Sequence, residues 1–210
     1  MKESPLLALY SDSKFTKKET FGMTIASNEK STMDASTSFV MDLSAIPKIL
    51  VVGKDAKHWL EEFNVIPDTL FACSFAKNGG YICQVMANQY LIVSDPSGQD
   101  YREIFNGIPS EGLEVLILPY ECAEILLGGP DIWRTISGLV MFNPSLLSET
   151  VLTSVRIATV DVYAKLSKMS SQHIRIIMSA PDAHFLTISI CECLGYKDDA
   201  LVGFDPTIKL

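Results

Sequence analysis

The sequence predicts an α+β protein made of two pseudo-repeated lobes, and three observations lead there. A strand-like run that closes on glycine and aspartate occurs twice: Val51-Val52-Gly53-Lys54-Asp55-Ala56 runs on to Trp59 and Pro67, and Leu127-Gly128-Gly129-Pro130-Asp131-Ile132 to Trp133 and Pro144. Both blocks later reach a similar ending, Leu91-Ile92-Val93-Ser94-Asp95-Pro96 and Ile176-Ile177-Met178-Ser179-Ala180-Pro181, so the landmarks keep their order. Finally, 48% of the 210 residues are apolar, enough for a substantial core. Two similar halves can each bury an apolar face against the other, and a repeat therefore points to a ligand site in the cleft where the lobes meet.

The elements follow in order. Residues 1–40 are rich in Ser, Thr, Lys and Glu and read as an arm with an edge strand or two; Leu6, Leu7, Leu9 and Tyr10 in it have no unit of their own to cover them. The first lobe, 41–112, opens with the buried strand Ile49-Leu50-Val51-Val52, ended by Gly53. Asp55 then stands as the N-cap of a helix with Ala56, Trp59, Leu60 and Phe63 at helical spacing. Strands are expected at 69–76, 80–86 and 89–94 with a Gly79-Gly80 hairpin turn, then a short helix carrying Tyr101, Ile104 and Phe105. The second lobe, 113–210, starts with a strand from Leu113 to Leu118. Asp131 caps a helix with the stripe Ile132, Ile136, Leu139 and Val140, and strands follow at about 150–165 and 173–179. Pro181 suits the first turn of a last helix, with Leu186, Ile190 and Leu194 on one face and Gly195 as its stop.

A net charge of −8 with no dense Lys/Arg cluster disfavours nucleic acid as a partner. No apolar run is long enough to span a membrane or to serve as a secretory leader, which suggests a cytoplasmic protein. Five cysteines without a C-x-x-C and three scattered histidines read as core-filling thiols and ordinary side chains, so no metal site is expected. Phosphate-loop, dinucleotide, zinc-protease and serine-elbow motifs are missing. Ser11-x-x-Lys14 and Ser27-x-x-Lys30 match S-x-x-K, but in a Ser/Lys-rich arm this spacing arises by chance.

The stretch Asp42-Leu43-Ser44-Ala45-Ile46-Pro47-Lys48 through Gly53-Lys54-Asp55-Ala56 resembles the opening of the folate-binding fold of the glycine cleavage T protein, the aminomethyltransferase superfamily. Ser4-Pro5-Leu6 and Val85-Met86-Ala87-Asn88-Gln89-Tyr90-Leu91-Ile92-Val93 are similar to the gamma subunit of heterotetrameric sarcosine oxidase. The resemblance implies one-carbon metabolism, tetrahydrofolate as a possible ligand, and larger flavin- and folate-carrying oxidase subunits, or self-association, as partners. It also implies two acidic residues soon after a glycine pair. Here Gly79-Gly80-Tyr81-Ile82 leads instead to Cys83-Gln84, and the superfamily's downstream glutamate motif is missing. The expectation is an accessory, non-catalytic subunit, with no catalytic residue to name. The alternative is a tetrahydrofolate-binding aminomethyltransferase-like enzyme.

Asp55 and Asp131 are best explained as helix caps, and Trp59 and Trp133 as core anchors. Asp161 interrupts the apolar strand Ala158-Thr159-Val160-Asp161-Val162-Tyr163, where alternation sends Asp161 and Tyr163 to the face opposite Val160 and Val162. If that face lines a cleft, Asp161, Tyr163 and Gln84 form a polar ligand site. If it faces solvent, they are surface residues of a sheet with one wet side.

Overall fold

The computed structural model describes residues 2–11, 14–27, 37–130, 132–167, 170–195 and 200–206. In chain order these form β1 (Lys2–Glu3), β2 (Thr16–Thr20), β3 (Met23–Ser27), β4 (Phe39–Asp42), β5 (Lys48–Val52), α1 (Ala56–Glu61), β6 (Cys73–Phe75), β7 (Tyr81–Met86) and β8 (Gln89–Val93). Then come α2 (Arg102–Phe105), β9 (Leu116–Pro119), β10 (Cys122–Gly128), α3 (Ile132–Thr135), β11 (Thr153–Ile157), β12 (Val160–Ser167), β13 (Ser170–Ser179), α4 (Ala180–Cys193) and β14 (Leu201–Val202). Asp131, expected to cap a helix, lies outside the described residues.

The chain forms two compact units. One comprises Met1–Ala45, Cys122–Glu149 and Thr153–Pro206; the other comprises Ile46–Glu121 with Thr150–Leu152. These divisions differ from the 40/41 and 112/113 boundaries expected from the sequence, and strand pairing gives the reason. β4 pairs antiparallel with β10, Phe39 facing Gly128 and Asp42 facing Ile125, which ties the N-terminal segment to the C-terminal half. β9 pairs with β5, Leu118 facing Leu50, which keeps residues up to Glu121 with the middle of the chain.

The first unit holds a six-stranded sheet in the order β11-β12-β13-β10-β4-β14, antiparallel except for the parallel pair β4–β14, and a three-stranded sheet β1-β3-β2. One face of the larger sheet is apolar: Ile125 and Leu127 of β10, Ile174 and Ile176 of β13, and Val162 and Ala164 of β12. Leu186 and Ile190 of α4 close over it, and Gly195, with a φ of 73°, ends the helical stretch as expected. The N-terminal arm joins this same core. Leu6, Leu7 and Tyr10 are buried in it and Leu9 packs against it, so these side chains do not need a partner protein to cover them. The Tyr10 hydroxyl accepts from the Asp42 amide at 3.2 Å and donates to the Val202 carbonyl at 3.3 Å. Burial, and then the nearby Asp42 charge, push its ionisation well above the usual range.

The second unit is a five-stranded antiparallel sheet, β6-β7-β8-β5-β9. Ile49, Val51, Ile82, Tyr90 and Ile92 form its apolar face, covered by Trp59 and Leu60 of α1 and Ile104 of α2. The hairpin expected at Gly79-Gly80 is present: β6 and β7 pair with Cys73 opposite Cys83, and the Ala76 amide bonds the Gly80 carbonyl. Asp55 precedes α1 without capping it. Its carboxylate instead accepts the Glu114 amide at 2.9 Å, an anchor between the strand end and the 113–115 segment. The expected helix over Ile132, Ile136, Leu139 and Val140 stops at Thr135; Ile136 is still buried, but Val140 makes an isolated antiparallel bridge to Ile157.

In the second unit β5 is followed by α1, the meander β6, β7 and β8, and α2, with β8 beside β5; in the first unit β10 is followed by α3, a 3-10 turn at Pro144–Leu146, β11, β12, β13 and α4, with β13 beside β10.

Candidate functional site

The informative surface is the face of the six-stranded sheet opposite its apolar side. Alternation along the strands puts Glu124 and Leu126 of β10, Arg175 and Ile177 of β13, and Lys165 and Tyr163 of β12 on this face. The Glu124 Oε1 and Arg175 Nε atoms are 2.6 Å apart, and the two side chains are 0% and 1% exposed. Lys165 stands directly opposite Arg175, also buried, and its ammonium donates to the Leu166 carbonyl at 2.8 Å. Like charges directly across a ladder repel, so the Glu124 carboxylate on Arg175 offsets part of that repulsion. Ser44 fixes the backbone there, its hydroxyl accepting the Glu124 amide at 3.2 Å.

Further along the same face the environment opens. Tyr163 is half-buried, and Asp161 at the hairpin end is exposed. Asp161 faces Arg156 of β11, whose Nε and Nη2 donate to its two oxygens at 2.8 and 2.9 Å. That bidentate bond holds the Asp161 carboxyl below its usual ionisation range. At the other end His173 lies edge-on to Phe39 with ring centres 5.6 Å apart, and burial lowers its basicity. A side chain at Gly128 would strike both rings, at 2.5 Å for Phe39 and 2.6 Å for His173.

The structure therefore brings Asp161 and Tyr163 onto one sheet face, two residues apart. Gln84 belongs to the other unit. It faces Tyr90 across the ladder beside a bulge, in step with Ile82, on the helix-covered side of its sheet. Its backbone carbonyl accepts from the Phe71 amide at 2.7 Å. The neighbouring Cys83, opposite Leu91, occupies the other side. Sequence reasoning missed Glu124, Arg175 and Lys165. The signal was available, because a charge inside an apolar strand run must be paired where it is buried, but it was applied only to Asp161.

A second polar cluster lies at the end of β8. The Asp95 carboxylate accepts the amides of Ser97 (2.9 Å), Gln99 (2.8 Å) and Asp100 (2.6 Å) and the Ser97 hydroxyl, closing the 95–100 turn. Asp100 in turn accepts from the Gly80 amide at 2.9 Å and the Asn78 amide at 3.0 Å, joining this turn to the β6–β7 hairpin. Burial pushes the Asp95 carboxyl up, but the donors outweigh it and its ionisation falls below the usual carboxylate value. A lowered folded value means stability that is present above the unfolded value, about pH 4, and is lost as pH falls through the folded value. Asp95→Asn should lower unfolding stability at pH 7 by about 1–3 kcal/mol, as for hydrogen bonds to a charged group. The deficit should shrink progressively as pH falls below about 4, where the unfolded chain takes up a proton that the folded Asp95 carboxylate still resists; urea titrations at pH 7 and pH 3 check this.

No three His, Cys, Asp or Glu side chains gather as a metal-binding set among the described residues, and none of their helices is long and apolar enough to cross a membrane.

No protein-family model matches the chain, and no curated protein sequence does. Solved structures do. The chain is similar to the glycine cleavage system aminomethyltransferase T from Bartonella henselae, at 15% identity and a TM-score of 0.63, over 96% of this chain and 59% of that one. It is also similar to a chain of the heterotetrameric sarcosine oxidase from Corynebacterium sp. U-96, at 14% identity and a TM-score of 0.59, over 91% of this chain and 94% of that one. The chain has the fold of the glycine cleavage T protein. It spans about three-fifths of the length of the aminomethyltransferase it matches.

Proposed function

We propose that the chain is an accessory, non-catalytic subunit in folate-linked one-carbon metabolism, acting beside larger flavin- and folate-carrying oxidase subunits as the sarcosine oxidase gamma subunit does. One observation carries this reading: both carboxylates identified on the polar sheet face bond arginines, Asp161 through both oxygens to Arg156 and Glu124 through Oε1 to the buried Arg175. A carboxylate that orients an amine during one-carbon transfer must bond the substrate, and such preorganised electrostatics supply a few kcal/mol of the barrier lowering. Cys83 and Gln84 follow the glycine pair without offering a replacement carboxylate. Similarity over 94% of a chain from a heterotetrameric oxidase supports a subunit role. So do the exposed Leu116 and Leu118 of β9, the strand at one end of its sheet order, as apolar surface for a larger partner. The recurrent element order supports an internal repeat that relates the two units.

The expected outcome is that purified protein gives no turnover with tetrahydrofolate and an aminomethyl donor, and that it co-purifies with oxidase subunits when these are co-expressed. Saturable tetrahydrofolate binding by calorimetry together with aminomethyl transfer at enzymatic rates would favour the alternative, an aminomethyltransferase-like enzyme.

A further inference from the structure

We infer that Cys73 and Cys83 are a built dithiol site, which disulfide-class oxidants convert to an intrachain disulfide across the β6–β7 hairpin. The two residues are direct partners in the antiparallel ladder. The register tells which kind of partners. The Ala76 amide bonds the Gly80 carbonyl, so Ala76 and Gly80 are a hydrogen-bonded pair; counting back, Phe75 and Tyr81 are a non-hydrogen-bonded pair, Ser74 and Ile82 a bonded one, and Cys73 and Cys83 non-bonded again. Non-bonded partners have Cα atoms about 4.5 Å apart and the closer side chains, within the roughly 4.4–6.8 Å that a disulfide spans. An independent sign that side chains meet at these positions is the next such pair, Phe75 and Tyr81, whose ring centres are 6.1 Å apart.

The two thiols differ in access. Cys83 is fully buried, whereas Cys73, on the end strand of the sheet, is half-exposed, and both are unoxidised. An incoming disulfide therefore meets Cys73 first. The Cys73 thiolate attacks one sulfur of the oxidant, and the other sulfur leaves as a thiol. Cys83, deprotonated, then attacks the Cys73 sulfur, forming the intrachain bond and releasing the second oxidant sulfur as a thiol. Two electrons and two protons pass to the oxidant. The remaining cysteines do not fit this pattern: Cys122 and Cys191 are buried in the first unit and are not ladder partners of another cysteine, Cys193 is exposed on α4, and burial raises the Cys191 thiol to about 11.

The sequence makes the test direct. Lys77 lies between the two cysteines, and Arg102 is the next basic residue, so trypsin yields peptides 58–77 and 78–102 with one cysteine each. The full-length protein is incubated with oxidised glutathione at pH 8, alkylated and digested without reduction. The expected result is an intact mass lower by two hydrogens and a linked 58–77/78–102 species that reducing agent separates. Cys73→Ser and Cys83→Ser should each abolish that species, while Cys193→Ser leaves it unchanged. A persistent glutathione adduct on Cys73, a linkage involving another cysteine, or both thiols remaining alkylatable while a small thiol control oxidises would overturn the assignment. Folding failure of either Ser variant does not blur the outcome, since the wild-type mass and peptide linkage decide it.

Discussion

Arg175→Met is expected to destabilise the chain by about 3–5 kcal/mol at neutral pH, the cost of leaving a buried carboxylate without its cation. Arg175 and Glu124 are among the least exposed charged side chains, and a 2.6 Å charge-assisted bond joins neighbouring strands at the middle of the six-stranded sheet. Methionine keeps much of the volume but removes the charge, so Glu124 must be neutralised or the sheet must open. Lys165, opposite Arg175, moderates the loss without replacing a planar guanidinium at that position. The double variant Glu124→Gln/Arg175→Met should recover at least half of the deficit, because it removes the orphaned charge instead of creating one. Urea unfolding followed by circular dichroism measures both. A single-variant cost below about 1 kcal/mol would mean that the pair behaves as a solvent-screened one and that the polar face is wet at Glu124.

Much of the fold was legible because periodicity and punctuation agreed. The strands at 81–86 and 89–93 and the helix from Ala180 to Cys193 have apolar spacing bounded by glycine or proline, and each formed close to its expected limits. Three features were hidden for physical reasons. The turn that splits 150–165 into β11 and β12 uses Ala158 and Thr159, both at positive φ, so none of the usual glycine or asparagine markers announces it. β10 is buried at every residue, so it lacks the alternation that identifies a half-wet strand, and Glu124 disguises it further. The arm looked uncovered because its neighbours in space, Val40 and the strand near Val202, are distant in sequence. The candidate site was legible only in part: alternation placed Asp161 and Tyr163 on one face, but the pairing of Glu124 with Arg175 depends on which strands become neighbours, and no local pattern encodes that.

Gly53→Ala is expected to cost about 3–5 kcal/mol, the largest effect among single-methyl additions to the second unit. Gly53 ends β5 with a φ of 142°, a conformation that L residues rarely adopt, which alone costs about 1–3 kcal/mol. A methyl there also has nowhere to go: it would lie 1.8 Å from the Glu114 carbonyl oxygen and 3.1 Å from the Val115 Cα. Both are backbone atoms, so no rotamer change relieves the overlap, and overpacking adds about 1–3 kcal/mol. The segment that must retreat is held by the Asp55 carboxylate on the Glu114 amide and by the Lys54–Glu114 ion pair, and it leads straight into β9, where Leu116 pairs with Val52. Moving it loosens the β5–β9 edge. Gly112→Ala separates the two terms, because its φ of 93° carries a backbone penalty while nothing lies within 4 Å of the new methyl. Gly138→Ala, with open space around the new methyl and a backbone outside the positive-φ region, should fall within about 1 kcal/mol of wild type. Urea midpoints should rank Gly53→Ala far below Gly112→Ala, with Gly138→Ala near wild type. Equal losses at Gly53 and Gly112 would show that the 113–115 segment yields freely and that its anchoring by Asp55 contributes little.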